Sequence, residues 1–263
     1  MLILCKVGGE VIDGLELPEI GRQVHRLLET GHHIVLSHGG GAQATALSRR
    51  LGIEPHIVAG RRITDEATLE VMKMTLAGQV SVNLCAMLRA TGNRPVGLHG
   101  VVNARRRPPR IVSGGGSDPI DFGRVGDVTG FDVPLIKLLI NGGYLPVIAC
   151  LGHLPGTTEV FNINADIVAN KLARALDVDA LVLLTSAPGV LRDIKDPLSR
   201  IPRLTSVEAR AAIADGTVTG GMIPKLEESL AALADGVRSI YILSGDVERA
   251  LKDPGSVGTI LLP

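Results

Sequence analysis

Leu2-Ile3-Leu4-Cys5-Lys6-Val7-Gly8-Gly9 decides the reading of this chain. An aliphatic run that reaches a lysine and then a pair of glycines predicts a buried strand, Leu2 to Val7, followed by a tight turn. Glycines let backbone N–H groups come close to a phosphate, and the lysine adds a mobile positive charge. A tight turn with a solvated Lys6 reads equally well from this motif alone. The pattern recurs at His33 to Ser37, which leads into His38-Gly39-Gly40-Gly41. Further short aliphatic runs at Pro95 to Leu98, Leu145 to Ala149, Ala180 to Leu184, Ser239 to Leu243 and Thr259 to Leu262 predict five more strands. Between them, apolar residues recur at helical spacing over Glu19 to Leu28, Ala42 to Leu51, Asp65 to Ala90, Val133 to Asn141, Ala165 to Leu176, Ser206 to Ala214, Lys225 to Ala234 and Val247 to Leu251. The alternation predicts an α/β protein whose mainly parallel sheet is covered on both faces.

Composition narrows the function classes. A chain of 263 residues that is 45% hydrophobic can bury a full core. Its 27 basic and 27 acidic residues cancel, which removes the attraction that non-specific nucleic-acid binding depends on. Aromatics are 2% with no Trp, so base-stacking platforms lack material. The expected partner is a small molecule. Cys5, Cys85 and Cys150 have neither disulfide-framework nor zinc-ligand spacing, which suits the reducing cytoplasm. Gly, Asn, Pro or charge interrupts every apolar run, so no membrane span is expected.

Gly100 to Gly130 breaks the alternation with Pro108, Pro109 and the Gly114 to Gly116 run, and predicts a β-hairpin or flap. A lobe boundary is placed just after Asn170, giving lobes 1–170 and 171–263. No flexible linker separates them, so both must share one sheet.

Three later stretches carry candidate chemistry. Asn162-Ile163-Asn164-Ala165-Asp166 precedes a helix, where Asp166 taken alone reads best as a cap or dipole partner. Ser186-Ala187-Pro188-Gly189-Val190-Leu191 ends a strand. Gly220-Gly221-Met222-Ile223-Pro224-Lys225 opens a helix with a lysine that opposes the helix dipole, and so calls for an anion nearby. Neither glycine turn has the Walker or Rossmann spacing.

The ordered series KVGG, HGGG, GRRITD, NINAD, TSAPGVL and GGMIPK resembles the amino-acid kinase family over essentially the whole chain and, within it, the kinases of N-acetylglutamate. The resemblance implies a three-layer αβα sandwich of the carbamate kinase-like type. It also implies ATP with Mg2+, no protein metal site, and transfer of phosphate to the γ-carboxylate. It makes Lys6 and Lys225 the cations on the phosphoryl group, with Asp166 orienting both. Gly9, Gly40 and Gly41 would supply amides, Arg62 would pair with the substrate α-carboxylate, and Asn162 would bind the acetamido end. Ser186, Ala187, Pro188, Gly189, Val190 and Leu191, with Thr217, Val218 and Thr219, match the family's nucleotide segment. The implied N-terminal lobe (1–170) holds the acyl-amino acid and dimerises, while the C-terminal lobe (171–263) holds ATP. An ionised carboxylate needs no general base, so His38 is expected to be structural.

Three departures stand out. Asn103-Ala104-Arg105-Arg106-Arg107-Pro108-Pro109-Arg110 occupies a place where these kinases often have a Gly-Lys-Asp-Gly-like stretch; the arginine run is expected to be a solvated hairpin, with an acidic carrier-protein substrate as the sharper alternative. Ser186 stands where Asp is common. The first strand begins at Leu2, without the extra helix of hexameric, arginine-inhibited relatives. A homodimer packed through the Asp65 to Ala90 helix, without strong arginine feedback, is therefore expected.

Overall fold

A computed structural model describes residues 1–112 and 115–263; Gly114 of the glycine run lies outside the described residues. The strands are β1 (Leu2–Val7), β2 (His33–His38), β3 (Ile57–Val58), β4 (Arg61–Arg62), β5 (Pro95–Leu98), β6 (Val102–Arg106), β7 (Gly126–Phe131), β8 (Leu145–Ala149), β9 (Leu151–His153), β10 (Val160–Asn162), β11 (Ala180–Leu184), β12 (Arg203–Thr205), β13 (Ile240–Leu243) and β14 (Thr259–Leu262). The helices are α1 (Gly9–Ile12), α2 (Leu17–Glu29), α3 (Gly41–Arg50), α4 (Glu66–Lys73), α5 (Ser81–Ala90), α6 (Val133–Asn141), α7 (Ala165–Leu176), α8 (Ser206–Ala214), α9 (Met222–Ala234) and α10 (Val247–Lys252).

The main sheet runs β12-β14-β13-β11-β1-β2-β8-β5. Pairing is parallel except between β13 and β14. Its strands are buried along nearly their whole length, as a sheet covered on both faces requires. One face packs Leu4, Val35, Leu181 and Leu183 against α6, α7, α8 and α9. The other packs Ile3, Cys5, Val7, Ile34 and Val182 against α2, α5 and α10. This is the three-layer αβα sandwich. The sheet divides between β1 and β11, with strands from before residue 170 on one side and those from after it on the other.

The expected flap is a hairpin of β6 and β7, with a register shift between Asn103 and Ala104, and it belongs to a second sheet ordered β10-β9-β6-β7. The expected Asp65 to Ala90 helix runs Glu66–Ala90, with a π-helical stretch at Met74–Val80 between α4 and α5. Length and composition alone would let this helix pass as a membrane span, but 44% of its apolar window is buried inside the protein, as a core helix requires.

Candidate active site

Strand alternation aims the first lysine. Successive side chains on β1 point to opposite faces, so Lys6 emerges on the side of Leu4, towards α7. There Lys6 Nζ lies 2.9 Å from Asp166 Oδ1, with only 8% of its side chain exposed. The approach is oblique and leaves Oδ1 without an aligned donor, so the contact is mainly Coulombic. Asp166 sits in the first turn of α7, whose Asn164 cap accepts from the N–H groups of Asp166 (2.7 Å) and Ile167 (3.3 Å). Burial pushes the Asp166 carboxyl up, but Lys6 and then Lys225 outweigh it and hold the group below its ordinary value.

Lys225 comes from the first turns of α9 and is half-buried. Among the described residues it has no ion-pair partner within 4 Å. Burial pulls its pKa down, Asp166 and Glu10 oppose that, and Lys6 adds to it. The two lysines thus differ: one is compensated, the other is not.

The glycine turns close the strand ends, where open α/β sheets place ligands. Gly8 N–H donates to Leu184 O (3.1 Å) and Gly39 N–H to Val7 O (3.0 Å), which extends the ladder by one residue on each side. A Cβ on Gly8 would sit 3.0 Å from Leu184 O, and one on Gly40 would sit 2.7 Å from Leu76 Cδ2. At Gly8 the backbone carbonyl leaves little room for a side chain, and at Gly40 the Leu76 methyl would have to move. Among the described residues the N–H groups of Gly9, Gly40 and Gly41 have no protein acceptor, and they stand at the starts of α1 and α3.

Two cavities meet here. The first, of 650 Å³, is lined by Lys6, Gly9, Asp166 and Lys225 together with Ser186, Ala187, Gly189, Leu191, Thr217, Val218 and Thr219. The second, of 440 Å³, is lined by Gly40, Gly41, Arg62, Asn162 and Asp166. Asp166, Gly41, Ala42 and Gly60 border both. Pro188 and Val190 of the expected nucleotide segment do not reach the lining. Val190 is fully buried, and its N–H is used by Thr259 Oγ1 at 2.8 Å.

In the second cavity Arg62 donates from Nη2 to Thr45 Oγ1 (2.7 Å) and Gly41 O (3.1 Å), while its Nη1 is buried without a partner. Burial lowers its pKa. A half-buried guanidinium whose buried Nη1 is unused is set up for an anion. The turn before it, Ala59-Gly60, has positive φ at both residues (49° and 74°), the two-residue hairpin loop that joins β3 to β4. Asn162 Nδ2 donates to Thr64 Oγ1 at 3.1 Å.

The arginine run is not simply solvated. Arg105 and Arg106 are exposed, and Arg106 pairs with Asp121. Arg107 is 5% exposed; its Nε donates to Asp127 Oδ1 at 2.7 Å, and it lines the second cavity along with Arg110. The expectation of a wholly solvated hairpin is corrected because β7 brings Asp127 opposite β6, so burial of Arg107 is compensated. Glu228, three residues after Lys225 and so on the same helix face, also lines this cavity. Burial and then Asp166 push its pKa up against the pull of Arg110, Arg61 and Arg107. The signal for Glu228 was its spacing from Lys225; a run of arginines gave none for Arg107. On the other side, Ser186 donates to Glu10, so a carboxylate from α1 borders the first cavity beside Ser186.

The sequence profile described as Amino acid kinase family matches residues 1–244. The chain belongs to that family. It is 54% identical over 267 residues to the acetylglutamate kinase of Anaeromyxobacter dehalogenans (strain 2CP-C), with 98% of each chain covered. It is 52% identical over 269 residues to the acetylglutamate kinase of Sorangium cellulosum (strain So ce56), covering 99% of this chain and 94% of that protein. Among solved structures, smu.665 from Streptococcus mutans UA159 superposes with a TM-score of 0.82 at 26% identity, covering 99% and 98% of the two chains. As a member of a kinase family the chain uses ATP and a small-molecule acceptor.

Proposed function

We propose that the chain transfers the γ-phosphoryl group of ATP to the γ-carboxylate of N-acetyl-L-glutamate, giving N-acetylglutamyl 5-phosphate in arginine biosynthesis. The observation that carries this reading is the meeting of the two cavities at Asp166 and Gly41, with two lysines in one and the unsatisfied Arg62 in the other. Identity above half to proteins named acetylglutamate kinase supports the choice of acceptor.

ATP occupies the 650 Å³ cavity, a size ordinary for ligand sites. N-acetylglutamate enters the 440 Å³ cavity with its α-carboxylate on Arg62 and its acetamido end near Asn162. A γ-carboxylate oxygen attacks the γ-phosphorus; the new O–P bond forms as the bond to the β-phosphate oxygen breaks, and ADP leaves with that electron pair. No proton moves, so no base is needed. Lys6 and Lys225 neutralise the equatorial oxygens, Asp166 holds both lysines, and the N–H groups of Gly9, Gly40 and Gly41 aim at the same charge. An Mg2+ ion would be carried mainly by the phosphates, as a hard cation that keeps few protein ligands. When bound, that ion supplies neutralisation of β- and γ-phosphate charge.

In this reading residues 1–170 bind the acyl-amino acid and dimerise through the Glu66–Ala90 helix, residues 171–263 bind ATP, and the enzyme is a cytoplasmic homodimer. ATP-dependent acyl phosphate trapped with hydroxylamine tests the reading on N-acetylglutamate, glutamate, aspartate and N-acetylaminoadipate. Preference for N-acetylglutamate is expected. Turnover on none of them would refute it. The exposed Arg105, Arg106 and Arg110 would then favour a carrier-linked amino acid, with a non-catalytic amino-acid or nucleotide sensor as the other reading.

A further inference from the structure

The HGGG turn leaves one group that the reaction as described does not use. His38 is fully buried at the end of β2, and its Nδ1 lies 2.9 Å from Gly39 O. A carbonyl oxygen only accepts, so Nδ1 carries the proton and Nε2 holds a lone pair. That Nε2 is buried with no partner. Burial lowers the ring's pKa, against the bond to Gly39, which suits a neutral ring. A histidine kept only for packing would be better replaced by an apolar side chain, because an orphaned buried nitrogen is costly.

The backbone shows what the Nδ1 bond does. In the turn, Gly39 N–H is taken by Val7 O, and Gly40 O accepts from Ala44 N–H at 2.9 Å. Gly41 O accepts from Arg62 and, at 3.0 Å, from Thr45. Among the described residues Gly39 O has His38 alone. A trans peptide is planar, with C=O and N–H pointing in opposite directions. Holding Gly39 O towards the imidazole therefore turns Gly40 N–H the other way, towards the cavity that Gly39 and Gly40 line. Glycines on both sides of this peptide leave it otherwise free to rotate.

We propose that His38 is a positioning residue: its Nδ1–H fixes the Gly39–Gly40 peptide so that Gly40 N–H donates to the acceptor carboxylate and the phosphoryl group in transit. This rests on the phosphoryl-transfer reading above. A His38→Leu variant keeps the volume, lacks the donor and removes the orphaned nitrogen. His38→Asn keeps a donor close to the place of Nδ1. For His38→Leu, kcat is expected to fall about 100-fold, the loss typical of one missing donor to developing negative charge. The Kd for ATP should stay at the wild-type value and the urea midpoint close to it, because removal of the orphaned Nε2 offsets the donor lost from Gly39 O. His38→Asn should recover kcat to within about 10-fold. Retained turnover in His38→Leu, or equal losses in the two variants, would overturn the proposal.

A second measurement needs no substrate. In protein labelled with 15N-histidine, the His38 ring signal, assigned by its loss in His38→Asn, is expected to be that of the Nδ1-protonated tautomer near neutral pH. The Nε2-protonated tautomer would also overturn the proposal. If the wild-type enzyme fails to turn over N-acetylglutamate, the acceptor assignment falls, and the tautomer alone decides the role of His38.

Discussion

Removing the charge of Asp166 isolates the centre of the site. Asp166→Asn keeps the shape but leaves Lys6, with a side chain 8% exposed, without its counter-ion at 2.9 Å. At an effective dielectric of about 20, unit charges at that distance attract by roughly 6 kcal/mol, most of it offset by desolvation. Breaking a buried pair costs about 3–5 kcal/mol because one charge is stranded. The 21% of Asp166 open to the cavity places this pair near the lower limit, about 3 kcal/mol. With an m-value of about 3 kcal/mol/M for a chain of this size, the urea midpoint at neutral pH should drop by ~1 M. Lys171 and Asp235 provide the control: they lie closer, at 2.7 Å, but are 52% and 49% exposed. Asp235→Asn should cost under about 1 kcal/mol. The pH dependence has a fixed sign. Lys6 and Lys225 hold Asp166 below its ordinary 3.8, so its contribution is present above that pH and disappears as the pH falls through the lower folded value. Wild-type and Asp166→Asn curves should therefore converge in acid. Equal losses for Asp166→Asn and Asp235→Asn at neutral pH would refute the reasoning that burial, not distance, sets the value of the pair.

Lys225→Ala should reduce turnover about 1,000-fold while the Kd for ATP, measured by calorimetry, changes only a few-fold, because a cation on the transferred group acts mainly in the transition state. Burial lowers the pKa of Lys225 in the empty enzyme, so kcat/KM, which reports free-enzyme groups, should fall on the alkaline side below its ordinary 10.5, and Lys225→Arg should move that limb to higher pH. Arg62→Lys should raise the KM for the acyl-amino acid about 10-fold with a smaller change in kcat, since an ammonium cannot reproduce the planar fork; a loss confined to kcat would place Arg62 elsewhere in the reaction. Thr259 accepts from Val190 N–H and donates to Ile201 O at 2.6 Å. Thr259→Val should cost about 1–3 kcal/mol, read as a lowered thermal midpoint, because the Val190 N–H then has no partner in the core.

The main sheet was legible because its strands announce themselves locally. Leu2–Val7, Pro95–Leu98, Leu145–Ala149, Ala180–Leu184 and Thr259–Leu262 all have the bounds read from their aliphatic runs. Strands such as Leu151–His153 and Val160–Asn162 are too short to contain a period, so the second sheet was missed apart from its hairpin, and Ile57–Val58 of the separate β3–β4 pair was missed for the same reason. Motif order pointed to Lys6, Asp166 and Lys225, but their adjacency depends on β1 lying beneath α7, a relation that spacing along the chain does not encode. Arg107 was unreadable for a related reason. Whether an arginine in a charged run is solvated or buried depends on a carboxylate from another strand, and Asp127 lies on β7.

The two lysines of the site store charge differently, and that difference suits transfer. Lys6 is held at the end of a central strand and neutralised by Asp166 before any ligand arrives, so it defines a fixed position. Lys225 sits in the first turns of α9, against the dipole, half-buried and with no ion-pair partner. Its charge is disfavoured until negative charge gathers nearby, and the loose transition state puts that charge on the equatorial oxygens. Relief at that moment, rather than in the empty enzyme, is what lowers a barrier. Asp166 links the two: it borders both cavities, pairs with Lys6 and helps to keep Lys225 protonated. Under the proposed roles, a carboxylate in that place would weaken catalysis if it captured both lysines, and the single ion pair at Lys6 would leave Lys225 free for the phosphoryl group.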